Sequence, residues 1–162
     1  MTVERPEDGA MEPAASDRVS EVLARIATAL GVEAEVRAQE GPEGVIAEYV
    51  GEDVGALIGH HGAMIDAIQH LTYRIVFHGG DDRKRIFVDA GGYRERRAQT
   101  LRALGDQAAE SAIRERRPVA LEPMNASERR VVHEHLKSHF DVETYSEGEE
   151  PSRRLVVAPL VD

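Results

Sequence analysis

The motif most informative about the fold is Leu57-Ile58-Gly59-His60-His61-Gly62. Two glycines lie three residues apart in it, and apolar residues at helical spacing follow them. Because glycine has no Cβ, the backbone at both positions can approach a ligand closely. The amides at the start of the following helix point outward beside a positive helix terminus, which suits a phosphate. A tight helix–helix turn closed by a capping glycine is the structural alternative, and the motif alone fits both.

Outward from this turn, the apolar pattern divides residues 18–90 into six elements. Apolar residues at three- and four-residue spacing predict helices, and strict alternation of apolar and polar residues predicts strands. We expect Ser16 or Asp17 to cap the first helix and Gly31 to end it. The predicted elements are, in chain order, a helix at 19–30, strands at 32–39 and 45–50, a short helix at 53–58, a helix at 64–76 and a strand at 86–90. The order is αββααβ.

This order, with Gly-x-x-Gly between the second and third helices, resembles the type II KH domain over residues 18–90. The resemblance implies a loop that clamps about four nucleotides of single-stranded RNA or DNA. It assigns this contact to six residues, Leu57, Ile58, Gly59, His60, His61 and Gly62. KH loops usually carry Lys or Arg at the two middle positions, whereas His60 and His61 are mostly neutral at pH 7, because histidine titrates at about pH 6.5. An exchange of exposed residues without consequence is the alternative explanation for this departure.

A second pattern, αβαββ, begins after Gly91-Gly92, which we predict to be the domain boundary. Its first helix spans residues 93–117, a length of about 38 Å at about 1.5 Å per residue, and a proline stops it. Asn125 starts the next helix, because Glu128 follows at the spacing of a capping box. The three predicted strands are 119–121, 142–145 and 155–157.

Arg129 and His133 lie four residues apart on that helix and therefore share one face. Surface residues often have this spacing, so the pair alone does not define a site. Its flanks are more specific, and they comprise Met124-Asn125, Glu128-Arg129-Arg130, residues 144–151 and Arg153-Arg154. With these flanks the segment resembles the R-three-H domain, named for its Arg-x-x-x-His pair. A KH domain followed by an R-three-H domain is the arrangement of the bacterial Jag (KhpB, SpoIIIJ-associated) family.

The resemblance implies that the second domain also binds single-stranded nucleic acid. The residues that it assigns to this contact are Asn125, Arg129, Arg130, His133, Arg153 and Arg154. Arginine supplies a planar fork that matches phosphate, and histidine can donate to phosphate or pack on a base or sugar. Many Jag proteins begin with another small domain, whereas we expect this chain to begin with only an acidic tail.

The distribution of charge is consistent with a polyanionic partner, although the net charge is −10. Residues 72–117 carry eleven Lys and Arg against seven Asp and Glu, which gives this block +4. The basic stripe within it consists of Arg83, Lys84, Arg85, Arg94, Arg96 and Arg97. Phosphates respond to the local potential more than to the total charge. A solvated helix face of mixed charge is the alternative explanation for this stripe.

Composition excludes several classes of protein. The 162 residues contain no Cys, which excludes a disulfide framework, a Cys-ligated zinc site and thiol catalysis. Three Phe, four Tyr and no Trp are too few for a protein that stacks successive bases on aromatic side chains. His135 and His139 have the spacing of two metal ligands on a helix. Leu136 stands where the metalloprotease motif needs Glu, however, and no third ligand is evident. We therefore predict no catalytic residue, metal or cofactor.

The sequence thus predicts an α+β fold of two small domains. A disordered acidic tail at 1–16 precedes a type II KH domain at 17–91 and an R-three-H domain at 92–162. The predicted function is that of a cytoplasmic, non-catalytic protein that binds single-stranded RNA or DNA, with no membrane insertion because no apolar run is long enough. The resemblance further implies an RNA chaperone or post-transcriptional regulator linked to cell elongation or division, with a second KH-domain protein as a partner. The alternative is an interaction adaptor, for example for the membrane insertase YidC, with weak nucleic-acid binding.

Overall fold

The computed structural model describes residues 13–78 and 84–160 of the chain. The chain divides into two compact units, and the division falls between Gly91 and Gly92. Most of the predicted acidic tail, residues 1–12, lies outside the described residues. Among the described residues, no helix is both long and apolar enough to cross a membrane.

The N-terminal unit has the predicted order of helices and strands. Its strands form one sheet of order β1-β2-β3, in which β1 and β2 are antiparallel and β2 and β3 are parallel. Its elements are α1 (Ala15–Ala29), β1 (Glu35–Gly41), β2 (Gly44–Val50), α2 (Gly55–Ile58), a 3₁₀ turn (His60–Gly62), α3 (Ala63–Val76) and β3 (Arg85–Ala90).

The start of α1 differs from the prediction. The helix begins at Ala15, so that residues 15 and 16 belong to the helix and not to the tail. Ser16 and Asp17 lie in its first turn, and neither side chain caps it. Instead, the Glu40 carboxylate of β1 accepts from the Ala15 amide at 3.0 Å, and the Ala14 carbonyl accepts from the amides of Asp17 and Arg18 at 3.0 and 3.2 Å.

Helices α1 and α3 pack with the sheet around one apolar core. Tyr49 of β2 is fully buried in it, and its hydroxyl donates to the Leu23 carbonyl at 2.8 Å. Burial raises the pKa of Tyr49 above the ordinary value. The apolar stripe predicted for α3 is wider than the face that the core covers, because Leu71 and Ile75 are 49% and 50% exposed.

The C-terminal unit also follows its predicted order. Its sheet has the order β4-β6-β5 and is antiparallel throughout. Its elements are α4 (Tyr93–Glu115), β4 (Val119–Ala120), α5 (Ala126–Leu136), β5 (Val142–Glu147) and β6 (Arg154–Pro159). Helix α4 ends two residues earlier than predicted, because Arg116 adopts a left-handed conformation with φ of 53°. The two units together confirm the predicted α+β fold class.

Helices α4 and α5 pack closely at one glycine. A Cβ added to Gly105 of α4 would lie 2.9 Å from Cγ1 of Val132 on α5, closer than side chains tolerate. Gly105 therefore sets how near the two helices come. Leu104 and Ile113 have helical spacing with the buried residues of α4, yet they are 37% and 44% exposed. Only a narrow stripe of α4 faces the core, and it consists of Leu101, Gly105, Ala108, Ala109 and Ala112.

Candidate nucleic-acid interface

The Gly-x-x-Gly loop joins α2 to α3 through a backbone that only glycine accommodates easily. Gly59 has φ of 70° and ψ of −172°, and Gly62 lies in the left-handed region with φ of 82°. A Cβ on Gly59 would also lie 2.7 Å from Cβ of Met64. Both glycines are thus required by conformation, and Gly59 by space as well.

The two central histidines are stacked on each other. Their ring centroids lie 3.9 Å apart with 25° between the ring planes. His61 has φ of 51° and ψ of 31°, a left-handed conformation that non-glycine residues seldom adopt. His60 is exposed and His61 half-buried. The loop therefore presents two adjacent imidazoles immediately before the N-terminus of α3.

The apolar residues before the loop have a different role from the one that the sequence assigned. Leu57 is fully buried in the core of the N-terminal unit, so it cannot contact a nucleotide. Ile58 is half-buried and packs against the same core. These two side chains fix α2 to the unit. Gly59 and His60 are exposed and Ile58 and His61 are half-buried, whereas Gly62 is buried. The surface offered to a ligand therefore excludes Leu57 and Gly62.

In the C-terminal unit, a shallow groove of about 320 Å³ runs between α5 and β5. It contains three of the residues that the sequence assigned to nucleic-acid binding, namely Arg129, Arg130 and His133. The full lining is Ala126, Arg129, Arg130, His133, Thr144, Tyr145, Ser146 and Leu155.

Arg129 is a structural residue of this groove. The whole residue is 8% exposed, and its guanidinium donates to the Met124 carbonyl at 2.7 Å and to the Glu150 carboxylate at 2.8 Å. The sequence predicted an exposed arginine that contacts phosphate. That prediction of exposure is wrong, because helical spacing gives the face of a residue but not what the rest of the chain places over it.

Arg130, His133 and Tyr145 are the largest polar side chains that the groove offers to a ligand, and Ser146 lies beside them in the lining. Arg130 is exposed and makes no ion pair with any residue of the described ranges. His133 Nδ1 is hydrogen-bonded to Thr144 Oγ1, which fixes the orientation of the ring. Tyr145 is 44% exposed on β5. Sequence reasoning did not single out Tyr145, although it lies in the string of residues 144–151 that carried the resemblance.

Carboxylates near the groove oppose anion binding. A hydrogen bond from Lys137 lowers the pKa of Glu134 below its ordinary value, and the nearby His133 and Arg130 lower it further. Glu150, which is 57% exposed, pairs with Arg129 at the other end. Glu134 is therefore ionised at neutral pH, and the positive charge of Arg130 has an acidic neighbour.

The other residues assigned to this domain's contact are divided between structural and exposed positions. Asn125 caps α5, since its side-chain oxygen accepts from the Glu128 amide at 2.9 Å, and the Glu128 carboxylate accepts in turn from the Asn125 amide. This confirms the predicted capping box. Arg154 pairs with Glu147 across β5 and β6 at 2.8 Å. Arg153 is exposed and lies outside the groove lining.

The predicted basic stripe is distributed over both units. Arg83 lies outside the described residues. Lys84 and Arg85 are exposed at the start of β3, whereas Arg94 and Arg96 are exposed in the first turn of α4. Arg97 points inward and donates to the Glu128 carboxylate at 2.7 Å, with its side chain 17% exposed. Arg97 is therefore a packing residue that ties α4 to the start of α5, and not part of an exposed stripe.

Comparison with known proteins agrees with the division into two units. A family model described as the KhpA/KhpB KH domain matches residues 16–88, and one described as the R-three-H domain matches residues 99–159. The protein named RNA-binding protein KhpB of Clostridium symbiosum is 35% identical over 144 residues, which are 88% of this chain and 65% of the relative. The proteins of that name from Bacillus subtilis and Lactiplantibacillus plantarum are 33% and 35% identical over 84% of this chain. The chain spans 66% and 42% of their lengths, so it covers less than two thirds of each of these relatives.

Proposed function

We propose that this chain binds single-stranded RNA without catalysing a reaction. It belongs to the KhpB (Jag) family of proteins, which have a KH domain and an R-three-H domain. Two surfaces are proposed to make the contact. One is the loop of Gly59, His60, His61 and Gly62, and the other is the groove between α5 and β5. Each surface lies within one unit and is argued separately.

The groove carries the proposal, because Arg130, His133 and Tyr145 share one lining. The guanidinium of Arg130 matches the two oxygens of a phosphate. Tyr145 offers a ring on which a base can stack, a contact worth about 1 to 3 kcal/mol. His133 is held through Nδ1, which leaves its Nε2 facing no hydrogen-bonding partner in the described parts of the chain. This is a site for one or two nucleotides, consisting of a phosphate contact beside a stacking surface.

The loop of the N-terminal unit supports the proposal with backbone chemistry. The exposed Gly59 keeps the chain free of a Cβ atom where a sugar-phosphate backbone would approach, and we expect the amides at the start of α3 to donate to phosphate oxygens. The stacked imidazoles supply hydrogen-bond donors in place of the fixed charge of a lysine. We expect this surface to contribute less salt-dependent affinity than a loop with Lys or Arg, since fewer counterions are released.

The experiment is fluorescence anisotropy of the full chain with a labelled single-stranded RNA of generic sequence, measured over a range of salt. Arg130→Ala should weaken binding about tenfold or more, because a hydrogen bond to a charged group is worth about 1.5 to 3 kcal/mol. It should also make the slope of log K against log salt shallower by about 0.7. The matched control is Arg114→Ala, which removes the same charge from a 68% exposed side chain on α4, outside the groove. Equal losses in the two variants would remove the groove from the interface.

The finer function proposed for this chain is that of an RNA chaperone or post-transcriptional regulator linked to cell elongation or division. The family membership supports it, and the name of the relatives, RNA-binding protein KhpB, is consistent with it. Single-stranded DNA is the second proposed ligand, since phosphate and stacking contacts do not require a 2′-hydroxyl. Competition between RNA and DNA of the same sequence measures this preference directly.

A protein partner is the second proposed function, and one observation favours it. Met64, Leu71 and Ile75 form an exposed apolar stripe along α3, with exposures of 39%, 49% and 50%. An amphipathic helix with an uncovered second face fits contact with another protein. The partner that the family model suggests is a second KH-domain protein of the KhpA type. An adaptor role toward the insertase YidC is proposed from the sequence resemblance alone. Both partners are tested by co-purifying wild type and Leu71→Glu with a KhpA-type protein and with YidC, and Leu71→Glu should lose the partner that binds the stripe.

A further inference from the structure

Three potential metal ligands meet in the C-terminal unit, away from the groove. His135 Nε2 lies 2.8 Å from Asp106 Oδ1, and His139 Nε2 lies 3.3 Å from the same oxygen. The three ligand atoms all lie within 4.8 Å of one another. We propose that Asp106, His135 and His139 bind a divalent first-row transition-metal ion, with Zn²⁺ as the ion that fits best.

The packing of α4 on α5 brings these residues together. Because Gly105 has no side chain, α4 and α5 pack so closely at this position that a Cβ would collide with Val132. The next residue of α4 is Asp106. His135 lies in the last turn of α5, and His139 lies one turn beyond its end, where its amide donates to the Leu136 carbonyl at 3.0 Å. The packing of α4 on α5 and the turn after α5 therefore place the three side chains near one another.

The distances suit a tetrahedral ion. Zinc bonds of about 2.0 to 2.2 Å to imidazole nitrogen and carboxylate oxygen place neighbouring ligand atoms about 3.3 to 3.5 Å apart. The two separations from Asp106, 2.8 and 3.3 Å, need to change by about half an ångström or less to reach this range, and the two imidazole nitrogens lie within 4.8 Å of each other. Exposures of 45% for the Asp106 side chain and of 29% and 39% for the His135 and His139 side chains leave the fourth position open to water.

The chemistry of the three groups selects the class of ion. Imidazole binds zinc, copper, nickel and iron well, whereas magnesium and calcium prefer ligand sets of oxygen alone. Two neutral imidazoles and one carboxylate leave a Zn²⁺ complex with a net charge of +1. In place of the hydrogen bonds to Asp106, the ion would link α4 to the end of α5 directly. It would therefore stabilise the C-terminal unit against unfolding.

The site does not compete with the groove. His133 and His135 are two residues apart, so their side chains leave α5 about 200° apart around the helix axis. His133 faces β5 through Thr144, and His135 faces α4 through Asp106. Metal binding and RNA binding therefore use opposite sides of α5, and the proposal does not depend on the proposed RNA function.

The experiment uses the full chain without an affinity tag, treated with chelator and then titrated with Zn²⁺ by calorimetry. Wild type should bind one equivalent, and Co²⁺ should give the visible absorption of a low-coordinate site. Asp106→Asn and His139→Gln should each weaken the affinity for Zn²⁺ at least about tenfold, since each removes one of three ligands. The matched control is His70→Gln, which removes an exposed histidine of the N-terminal unit and should leave the affinity unchanged.

Thermal unfolding provides the second measurement. Zn²⁺ should raise the melting temperature of the C-terminal unit in wild type and in His70→Gln but not in the two ligand variants. Circular dichroism establishes that all four proteins are folded. The proposal is overturned if wild type shows no saturable binding at about 100 μM free Zn²⁺, or if the ligand variants bind as tightly as His70→Gln.

Discussion

Replacing Arg129 with Ala is expected to destabilise the C-terminal unit, although the sequence resemblance assigns this residue to nucleic-acid binding. The side chain is 9% exposed and donates two hydrogen bonds, one to the Met124 carbonyl and one to the Glu150 carboxylate. Met124 is itself 6% exposed, so water cannot easily replace the guanidinium at its carbonyl. The substitution leaves a buried acceptor without a partner.

The size of the effect follows from these contacts. An unsatisfied buried acceptor costs about 1 to 3 kcal/mol. The ion pair with Glu150 adds at most about 1 kcal/mol, because that carboxylate is 57% exposed and solvent screens it. Alanine returns only a few tenths of a kcal/mol as the better helix former. The free energy of unfolding of this unit should therefore fall by about 2 kcal/mol, with a range of about 1 to 4.

Native-state hydrogen exchange of the full chain measures this free energy for each unit separately. Amides of the core strand β6 report on the C-terminal unit, and amides of β2 in the other unit serve as an internal reference. The matched control is Arg130→Ala, which replaces an exposed neighbour and should change stability by less than about 0.5 kcal/mol. If Arg129→Ala changes the exchange of β6 amides no more than Arg130→Ala does, the structural role assigned to Arg129 is wrong.

Three further predictions concern the N-terminal unit and the division of the chain. Burial raises the pKa of Tyr49 in the folded state, so its contribution to stability is complete below about pH 10 and is lost as the pH rises further. Tyr49→Phe should therefore flatten the fall in the free energy of unfolding at alkaline pH. The same variant should cost about 1 kcal/mol at neutral pH, because it removes the hydrogen bond to the Leu23 carbonyl. A His60→Asn, His61→Asn double variant should weaken RNA binding in the same anisotropy assay, because it removes the stacked imidazoles from the loop; an unchanged affinity would remove the loop from the interface. Residues 17–91 expressed alone, ending at the proposed boundary, should give a dispersed amide spectrum; a collapsed spectrum would place the boundary elsewhere.

The order of elements could be predicted from the sequence because it is encoded locally. Alternation in β1 and helical spacing in α1 report which residues face a core without any knowledge of what that core contains. The capping box is likewise a local signal, because Asn125 and Glu128 are only three positions apart, and the structure confirms it. The predicted site residues of the loop are also local, since Gly59 and Gly62 mark positive φ by their identity alone.

Burial and pairing across long separations could not be predicted in the same way. Arg129 meets Glu150 across 21 residues, and His135 meets Asp106 across 29. Both contacts depend on how α5 sits on its neighbours, which periodicity does not specify. The same limit applies to α3, where the sequence cannot distinguish an apolar residue that faces the core from one that faces outward, such as Leu71.

The parallel pairing of β2 with β3 has a consequence for synthesis of the chain. β2 is the central strand of its sheet, and it gains its second neighbour only when the 40 residues from Val50 to Ala90 have followed it. At about 5 to 20 residues per second, the ribosome needs about 2 to 8 seconds for that interval. During this time the backbone N–H and C=O groups along one edge of β2 lack the strand that pairs with them. The nascent N-terminal unit is therefore most prone to aggregate before β3 has been made.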